Sequence, residues 1–220
     1  MQYAGEAWVE RLRAGVVPRA RGVAIAVIVL VVAGVGLTVL EWSHPRFLAE
    51  ATTGRGGFAF VIGPPGMVVG GTALAIASWW RQRSDRVMIA RIRGGADGTS
   101  GAPVLFVPVV AKGQFLSEDL PAPRPTIWTV DAAGLHAWTP SEAKPVLDLP
   151  WETITGFELA TNDRAPVYGQ RIDYGVRVLG AKRPIVLVPR ADLGRPLGAG
   201  AYRLDVLKSL LRSFQAQLGA

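Results

Sequence analysis

The sequence predicts a membrane α-helical hairpin followed by an α+β domain, a seven-stranded β-barrel or sandwich capped by a C-terminal amphipathic helix. Three observations predict it. Two long apolar blocks, residues 22–40 and 58–80, fall before residue 81. Short strand-like runs then recur between residues 104 and 189, set apart by Gly, Pro and polar residues. One amphipathic segment, residues 201–218, ends the chain.

Residues 1–21 form an N-terminal segment with Arg11, Arg13, Arg19 and Arg21. Within it, "EAWVERLRAGVV" has the pattern of a short helix, with Trp8 and Leu12 four residues apart. Two readings are open, a helix lying in a membrane interface and a frayed terminus. The block 22–40, "GVAIAVIVLVVAGVGLTVL", has no charge over 19 residues. As a helix it reaches about 28 Å, close to the hydrocarbon thickness of a bilayer. It is read as transmembrane helix 1. The loop 41–57 is expected outside the membrane, and it carries only Arg46 and Arg55.

The block 58–80 is read as transmembrane helix 2. Pro64 and Pro65 interrupt it, so either the regular helix begins near Pro64 or a kinked helix begins at Phe58. Gly66 with Gly70, and Gly71 with Ala75, give small-xxx-small spacings that let another helix come close. Ala33 and Gly34 of the first block are the expected counterpart. Residues 81–103 read as a basic juxtamembrane segment and a Gly-rich linker, with Arg81, Arg83 and Arg86 at its start.

Positive residues flank the two blocks on the side of the termini, which places both termini in the cytoplasm of a bacterial plasma membrane. Trp42, Trp79, Trp80, Arg19, Arg21, Arg81, Arg83 and Arg86 are then the membrane-interface anchors. A cleavable signal peptide is the competing reading, since "AEA" at residues 49–51 resembles a cleavage site, but the apolar region is longer than such peptides use.

The net charge of +7 raises the question of nucleic acid. Residues 1–93 hold 11 Arg against 5 acidic residues, whereas the remainder holds 13 basic against 12 acidic. The excess sits beside the apolar blocks, so the lipid bilayer is the expected partner and nucleic acid is not. Arginine outnumbers lysine 20 to 4, a bias that points to a bacterial coding sequence. The absence of cysteine excludes disulfides, thiolate metal sites and cysteine nucleophiles.

From residue 104 the runs 104–110, 126–130, 135–139, 146–149, 153–160, 172–179 and 184–189 read as seven strands. Residues 126–139 form a hairpin around Asp131-Ala-Ala-Gly134, where Gly134 suits a positive φ. In 201–218, Leu204, Leu207, Leu211, Phe214 and Leu218 make an apolar stripe opposite Arg203, Asp205, Lys208 and Arg212.

Seven strands followed by one helix, with the hairpin "WTVDAAGLHAW" and the stretch "LDLPWETITGFEL", resemble the pleckstrin-homology superfold in its bacterial PH-like form, over roughly residues 104–218. The resemblance implies binding or scaffolding rather than catalysis. Eukaryotic relatives hold phosphoinositides with basic residues around the first hairpin loop. Here that loop carries Asp131 and no positive residue, so this activity does not carry over. Lys182 and Arg183 form a small basic turn, a candidate contact with anionic lipid.

Catalytic motifs are lacking: there is no Gly-x-Ser-x-Gly elbow, phosphate-binding loop or dinucleotide fingerprint in the sequence. The expected topology separates His44 from His136, so they share no metal site. "GTSG" at 98–101 and the pair Glu118–Asp119 read as a linker and a solvated turn. No catalytic residue, metal or cofactor is expected. The expected function is a membrane-anchored, non-enzymatic adaptor or accessory subunit whose partner is another membrane or cytoplasmic protein, or a second copy. An anionic-lipid sensor and a self-assembling structural protein are the alternatives.

Overall fold

The structure, a computed structural model, describes residues 6–19, 21–43, 57–94, 102–110, 120, 122–162, 172–180 and 185–219. The described elements are α1 (Ala7–Arg13), α2 (Arg21–Ser43), α3 (Gly57–Gly94), β1 (Leu105–Pro108), β2 (Ile127–Val130), β3 (Gly134–Trp138), β4 (Leu147–Pro150), a 3-10 turn (Trp151–Thr153), β5 (Ile154–Asn162), β6 (Ile172–Gly180), β7 (Ile185–Leu187) and α4 (Ala201–Leu218). They divide into two units. Unit 1 comprises Met1–Pro18 and Gln82–Ala220, and unit 2 is Arg19–Arg81.

In unit 1 the strands lie in two antiparallel sheets, β1-β2-β3-β4 and β5-β6-β7. The expected seven-stranded barrel or sandwich is corrected to two small sheets, of four and three strands. The sheets break after Pro150, because a proline has no N–H to continue a ladder and Trp151–Thr153 turn through one 3-10 step before β5 begins. A single antiparallel bridge, Val109 with Pro189, ties the end of β1 to the segment after β7.

Register sorts the first sheet into rows. Leu105, Val130, Leu135 and Leu149 are cross-strand partners, as are Val107, Trp128, Ala137 and Leu147. These rows share one apolar face. The opposite face carries Phe106, Thr129, His136 and Asp148 in register, with Pro108, Ile127 and Trp138 beside them. Both faces of β1, β2 and β3 are buried, which explains why their sequences do not alternate strictly between apolar and polar.

Helix α4 packs on β5 and β6, burying Leu204, Val206, Leu207, Leu210, Leu211 and Phe214. Two further pieces complete the core. From α1 come Trp8, Val9 and Leu12, and from the end of α3 come Met88, Ile89 and Ile92. Residues 82–94 are therefore helix with a core-facing side, and the described part of the expected juxtamembrane segment is folded into unit 1. Trp8 and Leu12, expected in a membrane interface or a frayed end, lie in the same core. The linker residues 95–101, including "GTSG", fall outside the described residues.

Unit 2 contains α2 and the first part of α3. Gly71 of α3 is buried, and a Cβ built there would touch Leu30 and Val31. Gly34 of α2 is buried as well. Gly66 and Gly70 face open space. Helix α3 begins at Gly57 and continues through Pro64 and Pro65, so of the two helix starts considered it follows the earlier one.

A membrane crossing needs about 20 consecutive, predominantly apolar residues. Among the described residues, no helix is long and apolar enough to supply them. In α3 the aliphatic residues are diluted by Gly63, Pro64, Pro65, Gly66, Gly70, Gly71 and Thr72, and the helix then runs on into the charged stretch from Arg81. The expected membrane hairpin is corrected on this finding. The two-span topology and the plasma-membrane location that depended on it are corrected too.

Candidate functional site

Two polar constellations stand out in unit 1. The first gathers around residues 190–195. Arg190 and Asp85, each with 1% of its side chain exposed, meet in a two-pronged pair, with Nη1 to Oδ2 and Nη2 to Oδ1 both 2.9 Å. Arg190 also donates to the carbonyl oxygens of Val109 (3.2 Å) and Arg195 (3.1 Å). The Gly194 N–H donates to Asp85 Oδ2 at 2.6 Å. A buried ion pair holds only when its remaining donors and acceptors are satisfied, and here the backbone satisfies them.

The same loop receives α1. Arg11 donates to Asp192 Oδ2 through Nε (3.0 Å) and Nη2 (2.5 Å). Gly194, at φ +72°, lies between Val17 and Gln82, so closely that a Cβ there would collide with both. The loop is a clasp: it holds α1 through Arg11 and Asp192 and α3 through Arg190, the Gly194 N–H and Asp85. Arg203 stacks over the Trp8 ring at 5.2 Å, adding a cation–π contact from α4.

The second constellation is Asp131–His136–Asp148. Asp131 begins the β2–β3 turn, where its Oδ1 accepts from the N–H groups of Ala133 (2.8 Å) and Gly134 (3.2 Å). Gly134 has φ +152°, and a Cβ there would strike the Leu149 carbonyl. His136 stands across the ladder from Asp148, and its ring reaches both acids. Nε2 is 2.9 Å from Asp131 Oδ1 and Nδ1 is 2.6 Å from Asp148 Oδ1. Trp151 Nε1 donates to the Asp131 carbonyl at 3.0 Å.

Hydrogen bonding to Asp131 raises the His136 pKa. Burial opposes this, and Asp148 adds to the rise. Burial pushes the Asp131 carboxyl up, but the His136 contact and the two turn N–H groups outweigh it, so its pKa is lowered. The cluster therefore favours an imidazolium held between two carboxylates. Both ring nitrogens are engaged and His136 is 6% exposed, so the ring is placed to hold charge and position backbone rather than to meet a substrate. Among the described residues, no group of three or more His, Cys, Asp or Glu is arranged to hold a metal ion.

The residues singled out by sequence do not converge. Trp42 lies on α2 and is 82% exposed. Trp79 and Trp80 are exposed neighbours on α3, edge to face at 5.4 Å. Arg19 is exposed ahead of α2, Arg21 opens α2, Arg81 is half-buried, and Arg83 and Arg86 are exposed on α3. Lys182, Arg183, His44, Glu118, Asp119 and the "AEA" at 49–51 lie outside the described residues.

Sequence reasoning missed Asp85, Arg190 and Asp148, and it read Asp131 as a turn residue without its contact to His136. The signal for Asp85 was available: Asp85, Met88, Ile89 and Ile92 follow one helical face. Compared with known proteins, the chain matches no family model, no curated protein and no solved structure.

Proposed function

We propose that the chain is a non-enzymatic adaptor or accessory subunit that associates with another protein through its helical unit. One observation carries this reading. Helix α2 exposes aliphatic side chains around its circumference, among them Ile25, Ile28, Val29, Val32, Val35 and Val39, and α3 adds Val69 and Ile76. A helix apolar on every side is stable only when its sides are covered, and a contiguous apolar surface of this kind marks an interaction site. The partner is expected to present apolar helices of its own.

The edges of the β sheets support the same choice. Strand addition needs a free edge. The β5 carbonyls of Ile154 and Phe157 are taken by Gln215 (2.6 Å) and Arg212 (2.6 and 3.1 Å) of α4. Strand β4, at the end of the first sheet, has four residues and carries an exposed Asp148 and Pro150, which are features that discourage pairing. The resemblance to PH-like domains agrees with a binding module rather than an enzyme.

The test is a photo-crosslinking amino acid placed at Val32 or Val69 in the full chain and activated in cells. Adducts with a distinct protein, absent when the probe sits at Arg86, are the expected result. Adducts with the chain itself alone would replace the adaptor by a self-assembling protein. Adducts confined to phospholipid would overturn the proposal.

A further inference from the structure

We propose that Asp131, His136 and Asp148 form a proton-controlled latch that holds edge strand β4 to the β2–β3 hairpin and lets it go on the alkaline side. The latch has one fixed half and one loose half. Asp131 is the fixed half, with 2% of its side chain exposed and two turn N–H groups on Oδ1. Asp148 is the loose half, on a strand paired through β3 and with 55% of its side chain exposed.

An imidazolium has two N–H donors and satisfies both carboxylates at once. A neutral imidazole has one. When the proton leaves, one contact must be surrendered, and the cost of surrender differs between the two acids. A buried carboxylate stripped of a donor has no water to replace it, whereas an exposed one hydrates freely. The remaining N–H therefore stays with Asp131, Nδ1 becomes a bare acceptor facing Asp148, and the 2.6 Å contact turns repulsive. Strand β4 then loses its side-chain tie to β3, beside the corner where Trp151 leads into the second sheet.

The charged groups acting on His136 are Asp131 from the turn and Asp148 from β4. On β2 the residue in register with His136 is Thr129, which does not titrate. Arg91 of α3 reaches the segment after β3, where it donates to the Pro140 and Glu142 carbonyl oxygens. The His136 pKa lies above its ordinary value, so the release comes at higher pH than a free imidazole would lose its proton.

Two measurements on the full chain test this: an NMR titration of the His136 ring, and amide exchange of residues 147–149 against pH, corrected for base catalysis. The expected results are a raised His136 pKa and β4 protection that falls by up to about tenfold per pH unit as that pKa is approached. Asp148→Asn, on an exposed side chain, is expected to fold normally, lower the His136 pKa and remove the pH step at β4. The Ala133 and Gly134 amides, held by Asp131, should show no such step in either protein. A His136 pKa at or below the ordinary imidazole value would overturn the latch. So would flat β4 protection in the native chain, or an unchanged β4 step in Asp148→Asn.

Discussion

Units 1 and 2 handle polar and apolar groups in opposite ways. Unit 1 buries charge and pairs it: Asp85 with Arg190, Asp192 with Arg11, His136 with two carboxylates. Its apolar side chains fill a continuous core. In unit 2 the side-chain hydroxyls turn back on their own helix, Thr38 to the Gly34 carbonyl and Thr72 to the Val68 carbonyl, both four residues earlier. Many of its large aliphatic residues remain exposed. The difference teaches that unit 1 pairs its buried charges internally, whereas unit 2 leaves apolar surface for something else to cover.

Removing the self-sufficiency of unit 1 gives the largest expected effect. Leu211→Asp would put a carboxylate under α4, where the side chain is fully buried against the sheet. A cost above about 4 kcal/mol is expected, read as loss of the cooperative thermal transition of unit 1. An unchanged midpoint would mean that α4 does not complete the core. Next comes Asp85→Ala, which leaves Arg190 buried and unpaired at a cost of about 3–5 kcal/mol. Chemical denaturation should show it, and adding Arg190→Met should recover a substantial part, because two apolar groups need no partners.

Gly134→Ala probes the hairpin alone. The new methyl would meet the Leu149 carbonyl at a backbone angle that side chains avoid, and about 1–3 kcal/mol of destabilisation is expected. The pH dependence comes next in size. The raised His136 pKa contributes stability fully present below the ordinary imidazole value and lost as pH rises through the raised one. The lowered Asp131 pKa contributes stability present above the ordinary aspartate value and lost as pH falls through the lowered one. Unit 1 should therefore be most stable on the acid side of neutral, with losses at both ends. A denaturation midpoint independent of pH across that range would contradict the cluster.

The smallest effect sharpens the comparison from the other side. Val32→Ser, on an exposed position of α2, should leave the unfolding of unit 1 unchanged within about 0.5 kcal/mol. The same change should weaken the crosslink expected at Val69. If it destabilised unit 1 instead, the two units would not be independent in stability.

How much was legible in advance varies with the range of the interaction involved. Helix α4 was read with its bounds, because a 3.6-residue apolar period is a local property of one segment. The β2–β3 hairpin was read from Asp131 and Gly134, again within a few residues of chain. The same period puts Asp85 on the face of Met88, Ile89 and Ile92, but no local pattern names its partner Arg190, 105 residues away. Local patterns failed at Asp148, because the length of the β3–β4 connection does not by itself fix which residue faces His136.

The sequence by itself determined where the segments fall: the apolar helices, the successive short strands and the final amphipathic helix, since propensity and periodicity act along the chain. Tertiary structure decided that the strands divide into two sheets, that Trp8 and Ile92 join one core, and that an apparent charged linker carries the anchor of a clasp. It also decided that His136 lies between two acids. The physical reason is that burial and pairing energies depend on neighbours brought together across the chain, and no window of sequence contains both members of those pairs.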